Sequence, residues 1–100
     1  MIVVQNHYFA APGQREGVLK TRRDANACRV TLGLPPGRTL VLARGSETVP
    51  DVIWELEVPD LAAWDADLAV LAASPEFEAI RATQRSQLRG FERMAYQVDE

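Results

Sequence analysis

Six side chains in this sequence of 100 residues combine a chemically useful type with a strand-like position. His7 is the only histidine, and imidazole titrates near neutral pH, so it is the first candidate for a general acid or base. Tyr8 adds a phenol that can hold or pass a proton. Glu55 supplies a carboxylate that would orient His7 if both stood on one sheet face, the arrangement of an assisted base. Trp54 and Tyr96 offer aromatic walls, and Arg93 offers a guanidinium that grips a polar substrate group. Each has a plainer alternative. A lone strand histidine is more often packed than catalytic, and strand aromatics are more often core than pocket. Glu55 and Glu57 can act as paired carboxylates, but ion pairing with Arg38, Arg44 or Arg93 explains them as well.

Other chemistries are excluded by what the sequence lacks. It has no glycine-rich phosphate loop, no Cys-x-x-Cys pair and no nucleophile elbow. One cysteine, Cys28, forms no internal disulfide and falls on a helical stripe, where core packing is its expected role. Two strand carboxylates and an isolated histidine make no metal site, so neither a metal nor a cofactor is expected. A net charge of −3 and a pI near 5.1 argue against nucleic acid as partner, which requires a basic footprint. No apolar run approaches the roughly 20 residues that cross a bilayer, and no leader pattern opens the chain. The expectation is a cytoplasmic protein of one domain, residues 1–100, with 47% apolar residues and one core.

The elements that must position these residues follow from periodicity. Met1 to Phe9 reads as a strand with Ile2, Val4, Asn6 and Tyr8 on one face and Val3, Gln5, His7 and Phe9 on the other. Gln14 to Leu32 reads as a helix whose stripe includes Leu19, Ala27 and Val30, with Val18, Ala25 and Cys28 nearby. Gly33-Leu34-Pro35-Pro36-Gly37 ends it. Arg38 to Gly45 reads as a second strand. Val52 to Val58 is a third, alternating Val52, Trp54, Leu56 and Val58 with Ile53, Glu55 and Glu57. Asp60 caps a helix carrying Leu61, Trp64, Leu68 and Leu71, while Asp65 and Asp67 fall off the stripe and are expected in solvent. Ser74-Pro75-Glu76 breaks that helix and restarts it, placing Phe77, Ile80 and Leu88 in the core until Gly90 closes it. Phe91 to Val98 forms the last strand.

The order β-α-β-β-α-β is the ferredoxin-like unit, an α+β fold with a four-stranded antiparallel sheet and two helices on one face. The helix-facing side takes Trp54, Leu56 and Val58. Ile53, Glu55, Glu57, Phe91, Arg93 and Ala95 are assigned to the opposite face, which nothing in the chain covers. A half-apolar face of that extent predicts a homodimer through the open sheet.

The stretch from Trp54 to Val98 resembles the dimeric α+β barrel superfamily of antibiotic-biosynthesis-type monooxygenases, EthD-like and NIPSNAP-like proteins. The carrying residues are Trp54-Glu55 with Leu56-Glu57, the Ser74-Pro75-Glu76-Phe77 break, Phe91-Glu92-Arg93 and Tyr96. The Gly33 to Gly37 turn stands where such proteins leave their first helix. The resemblance implies two sheets closing into a barrel, with a pocket inside it or between each sheet and its helices. Monooxygenase-type members often carry a histidine beside the helix break, where this chain has Ala69, Ala72, Glu76 and Glu78. Haem-degrading members use a strand-one asparagine, which Asn6 matches and which adds it to the substrate-binding set. Their helical tryptophan and histidine are replaced here by Leu71 and Arg81. The expected function is binding of a small apolar or aromatic molecule, with cofactor-independent oxygenation or isomerase-like proton transfer through His7 or Tyr8 as the chemistry. The alternative is a non-catalytic dimerisation or ligand-sensing module whose barrel is filled by its own side chains.

Overall fold

Apolar residues alternate along the first strand, and the sheet forms around it. The computed structural model describes all residues, 1–100. Strand β1 (Ile2–Ala10) is central, flanked by β3 (Val52–Val58) and β4 (Leu88–Gln97), and the short β2 (Arg38–Val41) pairs on the far side of β3. The sheet order is β2-β3-β1-β4 and every pairing is antiparallel, the ferredoxin-like topology. Helices α1 (Arg15–Thr31), α2 (Leu61–Ala72) and α3 (Pro75–Ser86) cover one face, so the molecule is a slab of 37 × 36 × 17 Å. The expected second helix is thus two segments. Ser74 caps the later one by accepting from the Phe77 amide at 3.1 Å, and Pro75 opens its first turn. Asp60 caps α2 in the same way, accepting from Ala63 N–H at 2.8 Å.

The core lies between the helices and the even positions of β1 and β3. Val4, Val18 and Val52 are fully buried beside Trp54, Leu56 and Trp64. A second cluster of Ala25, Cys28, Leu71 and Phe77 joins the three helices. Cys28 is buried there as a small apolar residue.

Several elements depart from the periodic reading. Strand β2 stops at Val41 instead of Gly45; the Leu42 N–H makes one last bond across to the Asp51 carbonyl at 2.8 Å before the chain leaves the sheet. Strand β4 begins at Leu88, so Leu88 and Gly90 belong to the sheet and the preceding helix ends at Ser86. The largest correction concerns parity. The register sets Arg93 against Asn6, Phe91 against Tyr8 and Ala95 against Val4, which turns Phe91, Arg93 and Ala95 toward the helices. Glu92, Met94 and Tyr96 take the open face instead. Both parities of β4 carry apolar residues, so alternation alone does not choose between them.

Polar residues also enter the core. Ala27 and Val30 are exposed, and the buried stripe of α1 runs through Val18, Arg22, Ala25 and Arg29. Arg29 is 2% exposed. It pairs with Asp67 on α2 at 2.5 Å, donates to the Pro35 carbonyl at 2.7 Å and lies 4.8 Å above the Trp54 ring. Asp67 is therefore buried as a counter-ion, whereas Asp65 is exposed as expected. The end of α1 is locked by a paired hydrogen bond, Leu34 N–H to Arg29 and Gly33 N–H to Val30, with Gly33 at φ 80°. Gly37, at φ 68°, lets the following turn lie on Trp54. A Cβ there would stand 2.6 Å from the indole, whose N–H donates to the Pro36 carbonyl.

Removing Asp67 leaves a guanidinium buried without its counter-charge. Asp67→Ala is expected to cost about 3–5 kcal/mol in urea unfolding, with Arg29→Met/Asp67→Leu together costing less than that single change. A double variant less stable than Asp67→Ala would show that the pair itself supplies net stability.

Candidate functional site

The sequence-predicted site residues divide between the two faces of the sheet. Asn6, Tyr8, Trp54 and Arg93 point toward the helices, and His7, Glu55 and Tyr96 point to the open face. His7 and Tyr8, adjacent in sequence, cannot serve one substrate from one side of the strand.

On the helix side lies a cavity of about 320 Å³, within the roughly 300–1,000 Å³ span of small-molecule sites. Its sheet wall is Asn6, Tyr8, Trp54, Phe91 and Arg93. Its helix wall is Arg22 and Arg29 from α1, Trp64 and Leu71 from α2, and Phe77, Arg81, Gln84 and Arg85 from α3. Phe91, on the edge strand β4, is 46% exposed, so this part of the wall reaches solvent.

A short polar chain crosses the cavity wall. Arg93 Nε donates to Asn6 Oδ1 at 2.8 Å, and Asn6 Nδ2 donates to the Tyr8 hydroxyl at 3.2 Å. Arginine can only donate, which fixes the Asn6 amide with its NH₂ toward Tyr8. The phenol oxygen therefore accepts, and its own proton remains free for a ligand. Above the Tyr8 ring, at 4.6 Å, sits the Arg22 guanidinium, held by an Nε bond of 2.7 Å to Gln84. Arg93 reaches over both Trp64 and Phe91, at 5.6 and 5.7 Å. Burial holds the Arg22 pKa below the usual arginine range; the Tyr8 phenol opposes this, and Arg29, Arg93 and Arg81 reinforce it. Arg93 is lowered likewise, by burial first, with Tyr8 opposing and Arg81 adding repulsion.

On the open face His7 does not touch Glu55. Gln5 stands between them, 2.9 Å from His7 Nε2 and donating to Glu55 Oε1 at 2.8 Å. Arg38 donates to the other carboxylate oxygen at 2.7 Å. Because Gln5 offers its amide oxygen to His7, the imidazole donates from Nε2 and its carboxylate support is indirect. Tyr96 is 58% exposed on this face. Trp54 lines the cavity, but its N–H is committed to Pro36.

Arg22, Arg81 and Gln84 were not among the sequence-predicted site residues. A signal for them exists: Arg22 and Arg29 stand two turns apart, in phase with Val18 and Ala25, so the buried side of α1 carries charge. A stripe counted only in apolar residues passes over it.

No family model matches this chain, and no curated protein matches it. Solved structures do. An uncharacterised NIPSNAP domain protein from Burkholderia xenovorans superposes with a TM-score of 0.78 at 20% identity, covering 99% of this chain and 95% of its own. The chain shares its ferredoxin-like α+β fold with these solved structures. A protein described as an antibiotic biosynthesis monooxygenase gives 0.65 at 19% identity, with both chains covered in full. A dimeric protein of unknown function and ferredoxin-like fold from Bacteroides fragilis gives 0.65 at 12% identity, covering 97% of this chain and 95% of that one. At these identities the likeness establishes the fold and leaves the chemistry to the residues. No helix is long and apolar enough to cross a membrane.

Glu55 is held below the usual carboxylate range, chiefly by the Gln5 hydrogen bond, against its own partial burial and with Arg38 adding to the effect. A depressed carboxylate pKa stabilises the fold above the unfolded value, near 4.3, and that stabilisation is lost as pH falls through the folded one. Glu55→Gln is expected to lower stability at pH 7 by about 1 kcal/mol or less, a few degrees of Tm, given the solvent screening of this site. The difference from the parent protein should shrink progressively in thermal melts as pH falls below the unfolded value. A constant difference across that range would assign the effect to packing.

Proposed function

We propose that the protein is a homodimer, joined through its open sheet face, that binds a small apolar or aromatic molecule in the cavity on the other face. The observation that carries this reading is the cavity itself: aromatic walls that reach solvent at Phe91 and a polar chain ending in a free phenol proton. Tyr8 is the proton-handling residue, Asn6 and Arg93 set the orientation of its hydroxyl, and Trp64, Phe77 and Phe91 hold the apolar body. Tyr8 would give its proton to a molecule seated over the sheet. If the bound molecule is turned over, this suits cofactor-independent oxygenation or proton-transfer isomerisation, in which the protein supplies a dry, shaped site. The antibiotic biosynthesis monooxygenase among the structural neighbours supports that class, and the dimeric neighbour supports the assembly.

A second reading, a ligand-sensing module without catalysis, is favoured by the placement of His7. The only histidine lies on the face opposite the cavity, bonded to Gln5, and leaves Tyr8 as the one neutral proton donor in the wall. The open face supports dimerisation in either case. Ile53, His7 and Leu40 share it, and Leu40 is 40% exposed.

Native mass spectrometry of the protein as purified reads assembly and retained ligand together. The expected mass is about twice 11.1 kDa, with added small-molecule mass. Ile53→Asp places an unpaired charge in the contact and should yield monomer, at a cost of roughly 2–5 kcal/mol of association. A monomeric parent, or a dimer indifferent to that substitution, would overturn the assignment of this face.

A further inference from the structure

The chain is acidic as a whole, with 14 acidic against 11 basic residues, yet five of its arginines line one cavity. No aspartate or glutamate lines it with them. Counter-charges come only from outside the wall. Asp67 neutralises Arg29, and Glu78 is shared by Arg81 and Arg85 at 3.6 and 3.8 Å. Neither Arg22 nor Arg93 has a carboxylate partner, so the site carries an excess of three positive charges.

Arg29 shows how this fold treats an arginine that serves structure. It is buried, and it receives an aspartate and a backbone carbonyl. Arg22 is nearly as buried, at 6% exposure, but its only protein acceptor is the neutral Gln84, through Nε. Its terminal nitrogens bond to nothing in the protein and are not sealed in the core, since the one sealed polar atom lacking a partner is Asn26 Oδ1. They therefore face the cavity as free donors. Arg93 likewise commits only its Nε, to Asn6. Both guanidiniums converge on Tyr8, one above its ring and the other through the Asn6 amide. Two such forks close together repel each other and disfavour the empty site. Negatively charged oxygen placed between them removes that cost and accepts their remaining N–H groups.

We propose that the cavity takes an anion on a flat apolar body, a carboxylate or a phosphate ester, whose oxygens are held by Arg22 and Arg93. The aromatic rings of Trp64, Phe77 and Phe91 hold the body, and Tyr8 donates to the same charged group or to its neighbour. This rests on the reading of the cavity as a small-molecule site and names its ligand class. The two guanidiniums are binding residues, and the charge they select for sets specificity.

Three probes of matched shape test it by calorimetric titration of the full chain: 2-naphthoate, 2-naphthyl phosphate and the neutral 2-naphthamide. At least one anion is expected to bind about tenfold or more tighter than the amide, an advantage that shrinks with added salt. Whichever anion binds tighter identifies the headgroup as carboxylate or phosphate ester. Arg93→Gln, on the solvent-exposed edge strand, should bring the ratio of anion to amide affinity close to one. Arg22→Gln should do the same, and Arg93→Gln carries the test if the buried change does not fold. Equal binding of amide and anions overturns the anion and keeps the small-molecule site. An anion preference untouched by Arg93→Gln overturns the role of the guanidiniums. No binding of any probe overturns both readings.

Discussion

One buried guanidinium governs how the layers of this protein meet. Arg29 leaves α1 at its last turn and reaches three places at once: Asp67 on α2, the carbonyl of Pro35 in the turn that follows, and the face of Trp54 in the sheet. An apolar side chain could fill the same volume but could not specify the same geometry. Its planar fork demands an acceptor in each direction, and each acceptor belongs to a different element. The turn between α1 and β2 is pinned on one side by Arg29 and on the other by the Trp54 N–H, with Gly37 giving the clearance. The cavity wall inherits this order, since Trp54, Trp64 and Arg22 stand on the elements so joined.

The open face and the cavity face differ in how they treat polar groups. On the open face, His7, Gln5, Glu55 and Arg38 form a continuous bonded row with donors matched to acceptors. The cavity face is built from donors, and its acceptors fall short. A satisfied row suits a surface that becomes an interface, while a surplus of donors suits a site completed by something that is not protein. The division follows from the strict alternation of β1, which sends odd and even residues to different neighbours.

Much of the architecture was legible in the chain. Element order, the helix break at Ser74-Pro75, the caps at Asp60 and Ser74, and the split of β1 into two faces all follow from local chemistry. What was not legible depended on pairing at a distance. The face taken by Arg93 turns on a register between β4 and β1, and β4 has apolar residues at both parities. The burial of Asp67 could not be read from its own helix, where it sits off the apolar stripe, because its reason lies on α1. The cavity was half visible: Asn6, Tyr8, Trp54 and Arg93 stood out by type, but Arg22 and Gln84 resembled ordinary surface residues of amphipathic helices.

The central position of β1 has a consequence for synthesis. Strand β1 is made before both of its neighbours, β3 and then β4. Tyr8 meets Phe91 about eighty residues after it is made, on the order of ten seconds at ordinary elongation rates. Throughout that interval a β-branched, aromatic strand has one edge without a partner, the condition that favours pairing with another chain. Translation of β4 is therefore what ends this exposure, and closure of the sheet waits on β4 more than on β3.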